Sequence, residues 1–249
     1  MHQPLGHGIK NGTFQIVKEL QNYGAQIDQE YVSQNMSEMK MCFTQMEIIE
    51  RKKINDLLKL NLEFLKNVRS NKYDEVKKNL AEGACVNVSS AKCGSALIYA
   101  SWKQYEEIVD LLLDNGADVN FKSATGYTSL HMACRFHTDD VIARKLLRHG
   151  AFYNLRDDKK NKTPRKHARE GGRNNLDTQL QLTDMVFRDV LLKDPEIISN
   201  LNYLKTNYRN LFGLLKFVKN CKGDSLISLA SGGKDGKFRE ELTKVLTED

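Results

Sequence analysis

Gly94 to Asn120 reads Gly-Ser-Ala-Leu-Ile-Tyr-Ala-Ser-Trp-Lys-Gln-Tyr-Glu-Glu-Ile-Val-Asp-Leu-Leu-Leu-Asp-Asn-Gly-Ala-Asp-Val-Asn, and its pattern decides the fold. It spells two short helices. One lies around Ala96 to Lys103; the other runs from about Glu106 to Asp114, where Ile108, Val109, Leu111, Leu112 and Leu113 share an apolar face at helical spacing. Gly116 stops the second helix, because the residue after a helix end turns left-handed and Gly does so with no Cβ to clash. A helix pair this short cannot bury its apolar faces alone, so the pattern predicts stacking against near-copies of itself.

The copies are present. Gly-Ala recurs at Gly83-Ala84, Gly116-Ala117 and Gly150-Ala151, which are 33 and 34 residues apart. In phase with that series stand Thr128-Ser129-Leu130-His131-Met132-Ala133, Ser95-Ala96-Leu97 with Ala100, and Pro4-Leu5 near the start. This resembles the ankyrin repeat, whose period is about 33 residues and whose signature contains Thr-Pro-Leu-His-x-Ala. The resemblance implies an all-α solenoid of helix-turn-helix repeats joined by short hairpin-like turns, with an inserted helical segment and a helical C-terminal cap.

Residues 1–28 resemble a first, truncated unit entered just before its first helix, with Gly6 where the family has His; a natural short form and a fragment both fit. Residues 29–61 form an inserted helical segment carrying Met36, Met39, Met41 and Met46. It reads either as a helix packed on the array or as an adaptable Met-rich docking surface for a partner helix. Repeat units follow at about 62–90, 91–123, 124–157 and 158–174, the extra residue of the 34 spacing being placed near Thr138. In the last of these, Arg165 stands where the family buries Leu. An unpaired buried charge is costly, so this unit is expected to end the regular stack.

Residues 175–249 read as a helical C-terminal region. Leu180 to Leu192 predicts a helix stopped by Asp194-Pro195. Pro195 to Lys219 keeps Ile197, Ile198, Leu201, Leu204, Tyr208, Leu211, Leu215 and Val218 at spacings of three and four, and Asp224 to Leu246 resembles a degenerate last repeat.

Composition narrows the functions. A hydrophobic content of 40% with only 3 Pro excludes a mostly disordered chain. The net charge of +6 is spread through 38 basic and 32 acidic residues, which argues against a dedicated nucleic-acid binder. Five cysteines, Cys42, Cys85, Cys93, Cys134 and Cys221, are odd in number and not closely paired, against a disulfide framework and in favour of a reducing compartment: the cytoplasm, with the nucleus as alternative. No secretory signal pattern and no run of about 18 apolar residues occurs, so no membrane partner is expected. The chain is read as monomeric and without a cofactor. Gly232-Gly233-Lys234, for instance, lacks the spacing of a phosphate loop.

His131, Cys134 and His137 look like a metal or nucleophile set. A zinc site needs four convergent ligands and a reactive Cys needs an accessible thiolate. The resemblance instead implies that His131 ties neighbouring turns together and that Cys134 fills a small buried place, so no catalytic residue or metal ligand is assigned. The run of Arg156, Lys159, Lys160, Lys162, Arg165, Lys166, Arg169 and Arg173 is broken by Asp157, Asp158 and Glu170 and has no interleaved aromatics. It reads as a solvated turn and exposed helix, with an import or nucleic-acid patch as the alternative.

The resemblance implies a non-catalytic scaffold that binds a protein partner on the concave side of the stack. In register, that side carries Lys92, Ser95, Trp102, Lys103, Lys122, Ala124, Tyr127, Arg135, Phe136, Asp158, Lys159 and Lys160. Trp102, Tyr127 and Phe136 are the aromatic anchors, although the bulk of Trp102 fits packing between units equally well. Asn120, eight residues after Leu112, is by the same resemblance a candidate for asparaginyl hydroxylation as well as a turn-ordering residue. Two alternatives remain: a regulator of a nuclear or signalling protein acting through the basic run, and a substrate-recruiting adaptor of a ubiquitin ligase.

Overall fold

The computed structural model describes residues 48–90, 94–136, 140–192, 194, 196–231 and 236–247. The truncated first unit, most of the Met-rich insertion, Thr138 and Pro195 lie outside the described residues. The chain divides into two compact units, one ending at Ser129 and the other starting at Leu130.

In the first unit, α1 (Ile48–Arg69) and α2 (Tyr73–Ala81) lead into a hairpin of β1 (Ser89–Ser90) and β2 (Gly94–Ser95). The strands are antiparallel, with Ser89 opposite Ser95 and Ser90 opposite Gly94. α3 (Ala96–Lys103) and α4 (Glu106–Asp114) follow. α1 packs on α2 and α3, and α2 on α4, so like helices stack on like. Ile54, Phe64, Val68, Val76, Leu97, Ile108 and Leu112 are sealed inside. α1 runs unbroken across residues 61 and 62, so the inserted segment and the unit after it share one helix. Asn side chains fasten that helix to its neighbours: Asn67 Nδ2 donates to Asn79 Oδ1 (2.9 Å) and Asn61 Oδ1 accepts from the Cys85 amide (2.8 Å). Both asparagines of the first bond are buried, where an unsatisfied amide would cost about 1–3 kcal/mol.

The helix stops recur with the sequence period. Gly83, Gly116 and Gly150 have φ of 97°, 80° and 84°. At each, the Gly amide reaches back three residues (to Leu80, Leu113 and Leu147 O), and the following Ala amide five (to Asn79, Leu112 and Leu146 O). That double bond pattern satisfies the last carbonyls of the helix and turns the chain away. Helix starts are less uniform. Ser95 caps α3, its Oγ accepting from the Ile98 amide at 3.3 Å. Between copies, Asn87 Oδ1 accepts from the Asp118 amide at 2.7 Å, 31 residues on.

The second unit holds α5 (Ser129–Phe136, its first residue at the junction), α6 (Val141–Arg148), α7 (Pro164–Glu170), α8 (Asn174–Leu192), α9 (Ile197–Asn207), α10 (Arg209–Leu215), α11 (Leu226–Ser231) and α12 (Gly236–Thr247). Thr163 caps α7 through Oγ1 to the Lys166 amide. At its other end Gly172 (φ 71°) repeats the stop motif, with Gly172 and Arg173 amides on Arg169 and Ala168 carbonyls. Arg165 does not carry an unpaired charge into the core. It is partly exposed and its guanidinium meets Asp177 (3.0 Å) and Asp184 (3.6 Å) on α8. α7 therefore packs on α8, which at 19 residues is about twice the length of α4 or α6, and the regular helix lengths end there.

The pattern between Pro195 and Lys219 resolves into two helices. Tyr208 (φ −133°, ψ 52°) separates α9 from α10. Just before it, Thr206 Oγ1 and Asn207 Nδ2 donate to the Asn202 and Tyr203 carbonyls, local bonds of the kind that compete with a continuing helix. After α10 the chain returns to the ladder of turns. Lys219 bridges both Phe152 and Ser225, the Tyr153 amide donates to Lys219 O (3.2 Å), and Asn154 Oδ1 accepts from the Cys221 amide (2.6 Å). α10 then lies on α6, and α11 on α8 and α12.

Candidate functional site

α3 and α5 each end in an adjacent cation and aromatic. In α3 they are Trp102 and Lys103; 33 residues later, in α5, Arg135 and Phe136 hold the same two places with the order reversed. Lys103 Nζ sits 4.1 Å from the Trp102 ring centroid, and the Arg135 guanidinium carbon 4.9 Å from that of Phe136. Trp102 is 39% and Phe136 43% exposed. Tyr99 meets the Trp102 ring edge-on, with centroids 5.6 Å apart and planes at 90°. The Trp102 ring is thus oriented on both sides while keeping a large part of its surface in water, an arrangement that leaves little rotamer entropy to lose on contact.

Beyond α6 the turn Asp157 to Lys162 is fixed from below. Its ends are joined by the Asp157 amide on Lys162 O (2.9 Å), and Asn161 takes a left-handed φ of 52°. Buried Asp157 accepts from the Lys160 amide (2.6 Å) and from His167 Nε2 (2.8 Å). Buried His131 donates Nε2–H to Lys162 O (3.2 Å), and the two imidazoles meet edge to face at 5.6 Å. Burial pushes the His131 imidazole down to about 4, against the opposing pull of the Lys162 carbonyl. Burial alone would raise the Asp157 carboxyl, but the hydrogen bonds from the Lys160 amide and His167 outweigh it and hold the group below its usual range. Cys134 is buried and burial pushes its thiol up, the opposite of a reactive thiolate. His131 and Cys134 are therefore parts of the frame; His137 lies outside the described residues. No metal-ligating cluster occurs among the described residues.

The other residues placed on the binding side by register divide in two. Lys122 and Ala124 are exposed beside the turn Ser123 to Tyr127, and Asp158, Lys159 and Lys160 are exposed at the clamped turn. Ser95 and Tyr127 are corrections. Both are buried, Ser95 because its hydroxyl caps α3, and Tyr127 because its amide and carbonyl close the turn on Ser123, whose Oγ accepts at 3.1 Å and whose N–H donates at 2.9 Å. Lys92 lies outside the described residues. Asn120 is half-buried and its amide is bonded by Asp118 Oδ1 (2.9 Å), a local turn of the Asx type. Register missed a feature of the second unit: the basic run shares an open cleft with Tyr153, Asp184 and Cys221, of which only the charges were visible in sequence.

Comparison with known proteins bears on the repeat. A family model described as ankyrin repeats (3 copies) matches residues 64–157 and again residues 97–178. The chain carries ankyrin repeats. Similar proteins include a putative ankyrin repeat protein of Fowlpox virus, 35% identical over 96 residues (38% of this chain, 28% of the relative), and the E3 ubiquitin-protein ligase XBAT33 of Arabidopsis thaliana, 47% identical over 53 residues (21% and 10%). The inactive serine/threonine-protein kinase TEX14 of Mus musculus is 35% identical over 85 residues (34% and 6%). The chain thus spans 28% or less of the length of each of these relatives. Ankyrin repeats generally mediate protein–protein interactions and are generally non-catalytic. Among the described residues no helix of this chain is long and apolar enough to cross a membrane.

Proposed function

We propose that this chain is a non-catalytic scaffold that binds a protein partner through the exposed ends of its first helices and the adjoining turns. The observation that carries the reading is the repeated pair of exposed aromatic and overlying cation at Trp102/Lys103 and Arg135/Phe136. Aromatic and Arg side chains dominate interface energetics because they bury much area at small entropic cost. Lys122 in the first unit, with Ala124 exposed beside it, and Asp158, Lys159 and Lys160 in the second add exposed polar groups. The likeness to an E3 ubiquitin-protein ligase covers 10% of that protein, so no ligase role is carried over. Among the described residues, buried Cys134 and exposed Cys221 are in no disulfide, which suits the cytoplasm or nucleus.

The test is affinity purification from cells with the parent and the double variant Trp102→Ala, Phe136→Ala. Truncating two anchors weakens a centred interface by at least about 2 kcal/mol, roughly thirtyfold. Partners held by these side chains disappear from the variant, whose circular dichroism matches the parent. Identical partner lists would refute the assignment.

A further inference from the structure

In the second unit, Arg156, Lys160, Lys162, Arg165, Lys166 and Arg169 line one open cleft of about 610 Å³, together with Asn154, Asn161 and Thr163. The charges do not cancel. Among the described residues, Lys162 and Lys166 share Glu170 and Arg165 takes Asp177 and Asp184, so these ion pairs engage three of the six cations. The hydrogen bond from Lys162 holds the Glu170 carboxyl below its usual range, so this acid is committed to its lysine. Arg156 donates Nη1–H to the Asn161 carbonyl (2.9 Å), a neutral partner. Lys160 and Arg169 are exposed and make no ion pair among the described residues. The turn bearing Lys160 is the one clamped by His131, His167 and Asp157, and Asn154 is fixed by the Cys221 amide, so the cleft's cations stand on a rigid frame.

We propose that this cleft binds an acidic peptide segment, its side-chain carboxylates meeting Lys160, Arg169 and Arg156 and its main chain meeting the amide and hydroxyl groups of Asn154, Asn161 and Thr163. Several features select that ligand. The volume far exceeds a lone phosphate or carboxylate and falls in the range of roughly 300–1,000 Å³ that holds a larger molecule. A single-stranded nucleic acid needs aromatic faces on which bases stack. The one aromatic lining the cleft, Tyr153, is buried against Phe187 with centroids 5.0 Å apart and offers no free face. The proposal rests on the protein-binding reading above and shares Lys160 with it, but neither Trp102 nor Phe136 lines the cleft.

The experiment measures fluorescence anisotropy of a labelled decaglutamate peptide with the full chain at low and physiological salt. Decaglutamine, inorganic phosphate and a ten-nucleotide oligothymidylate are the comparison probes. Decaglutamate binds, its affinity falls with salt, and the double variant Lys160→Ala, Arg169→Ala weakens it at least about fivefold. Lys77→Ala, Lys78→Ala, a charge-matched change at exposed positions of α2, leaves it unchanged. Trp102→Ala, Phe136→Ala also leaves it unchanged, which separates failure of this cleft from failure of the aromatic site. Equal binding by the parent and the Lys160/Arg169 variant overturns the proposal. Tighter, variant-sensitive binding of the oligonucleotide also overturns it and makes the cleft a nucleic-acid site; displacement of the peptide by equimolar phosphate makes it a simple anion site and overturns it likewise.

Discussion

Replacing His131 with Gln removes one titratable group from the core while leaving an amide that can still donate to the Lys162 carbonyl. In the folded protein the imidazole is pushed by burial from 6.5 to about 4. The unfolded chain therefore binds this proton first as pH falls. The stabilisation is fully present above pH 6.5 and is lost progressively between 6.5 and about 4. At one unit per 1.36 kcal/mol, the loss from pH 7 to 4.5 is about 2–3 kcal/mol, a large share of a marginal stability. The neighbours do not mimic it. Asp157 is held below its ordinary 3.8, so its own contribution is lost only at lower pH, and His167 is common to both proteins. Urea unfolding at pH 7 and pH 4.5 measures the difference. Far-UV circular dichroism is the right signal, because the single Trp lies in the other unit. The parent should lose about 2–3 kcal/mol more than His131→Gln over that interval. Parallel pH curves would refute the reasoning, whatever the absolute stabilities.

Three further outcomes follow from the same geometry. Ser95→Ala removes the α3 cap and should lower stability by about 1 kcal/mol in a thermal or urea melt; an unchanged midpoint would show the cap to be idle. Iodoacetamide should label exposed Cys221 in the native protein and reach Cys134 only in urea, since burial both hides that thiol and raises it; prompt native labelling of Cys134, read by peptide mass, would contradict the packing. If Asn120 is a hydroxylation target, intact mass after expression in animal cells should rise by about one oxygen and the gain should vanish in Asn120→Ala; no gain in the parent would remove the assignment.

The repeat was legible because its determinants are local. A helix stop is one residue with a positive φ, so Gly83, Gly116 and Gly150 announce three stops unaided. His131 is legible for a similar reason, its place in a short motif fixing the carbonyl 31 residues on that it ties. Register fails where a position's phase does not determine its direction. Ser95 and Tyr127 stand beside exposed residues in sequence, yet capping and turn closure draw both inward. Arg165 shows the other limit. Its partners Asp177 and Asp184 lie on a helix outside the repeating pattern, so nothing in the motif reveals that the charge is met. The cleft is hidden in the same way, because its far wall comes from Asp184 and Cys221, which the period does not reach.

The Cys221 amide on Asn154 joins residues 67 apart in the chain. In a simple array each copy touches the next, and terminal copies can fray singly. Here the turn after α10 closes a long loop over α7, α8 and α9, so the entropy of closing it must be met before the bond is gained. Residues from the α6 end to α10 are consequently tied to one event, and cutting the chain anywhere between Asn154 and Cys221 releases both edges together. Hydrogen exchange should report a single protection level across that span, where an open-ended stack would show a gradient falling toward its terminus.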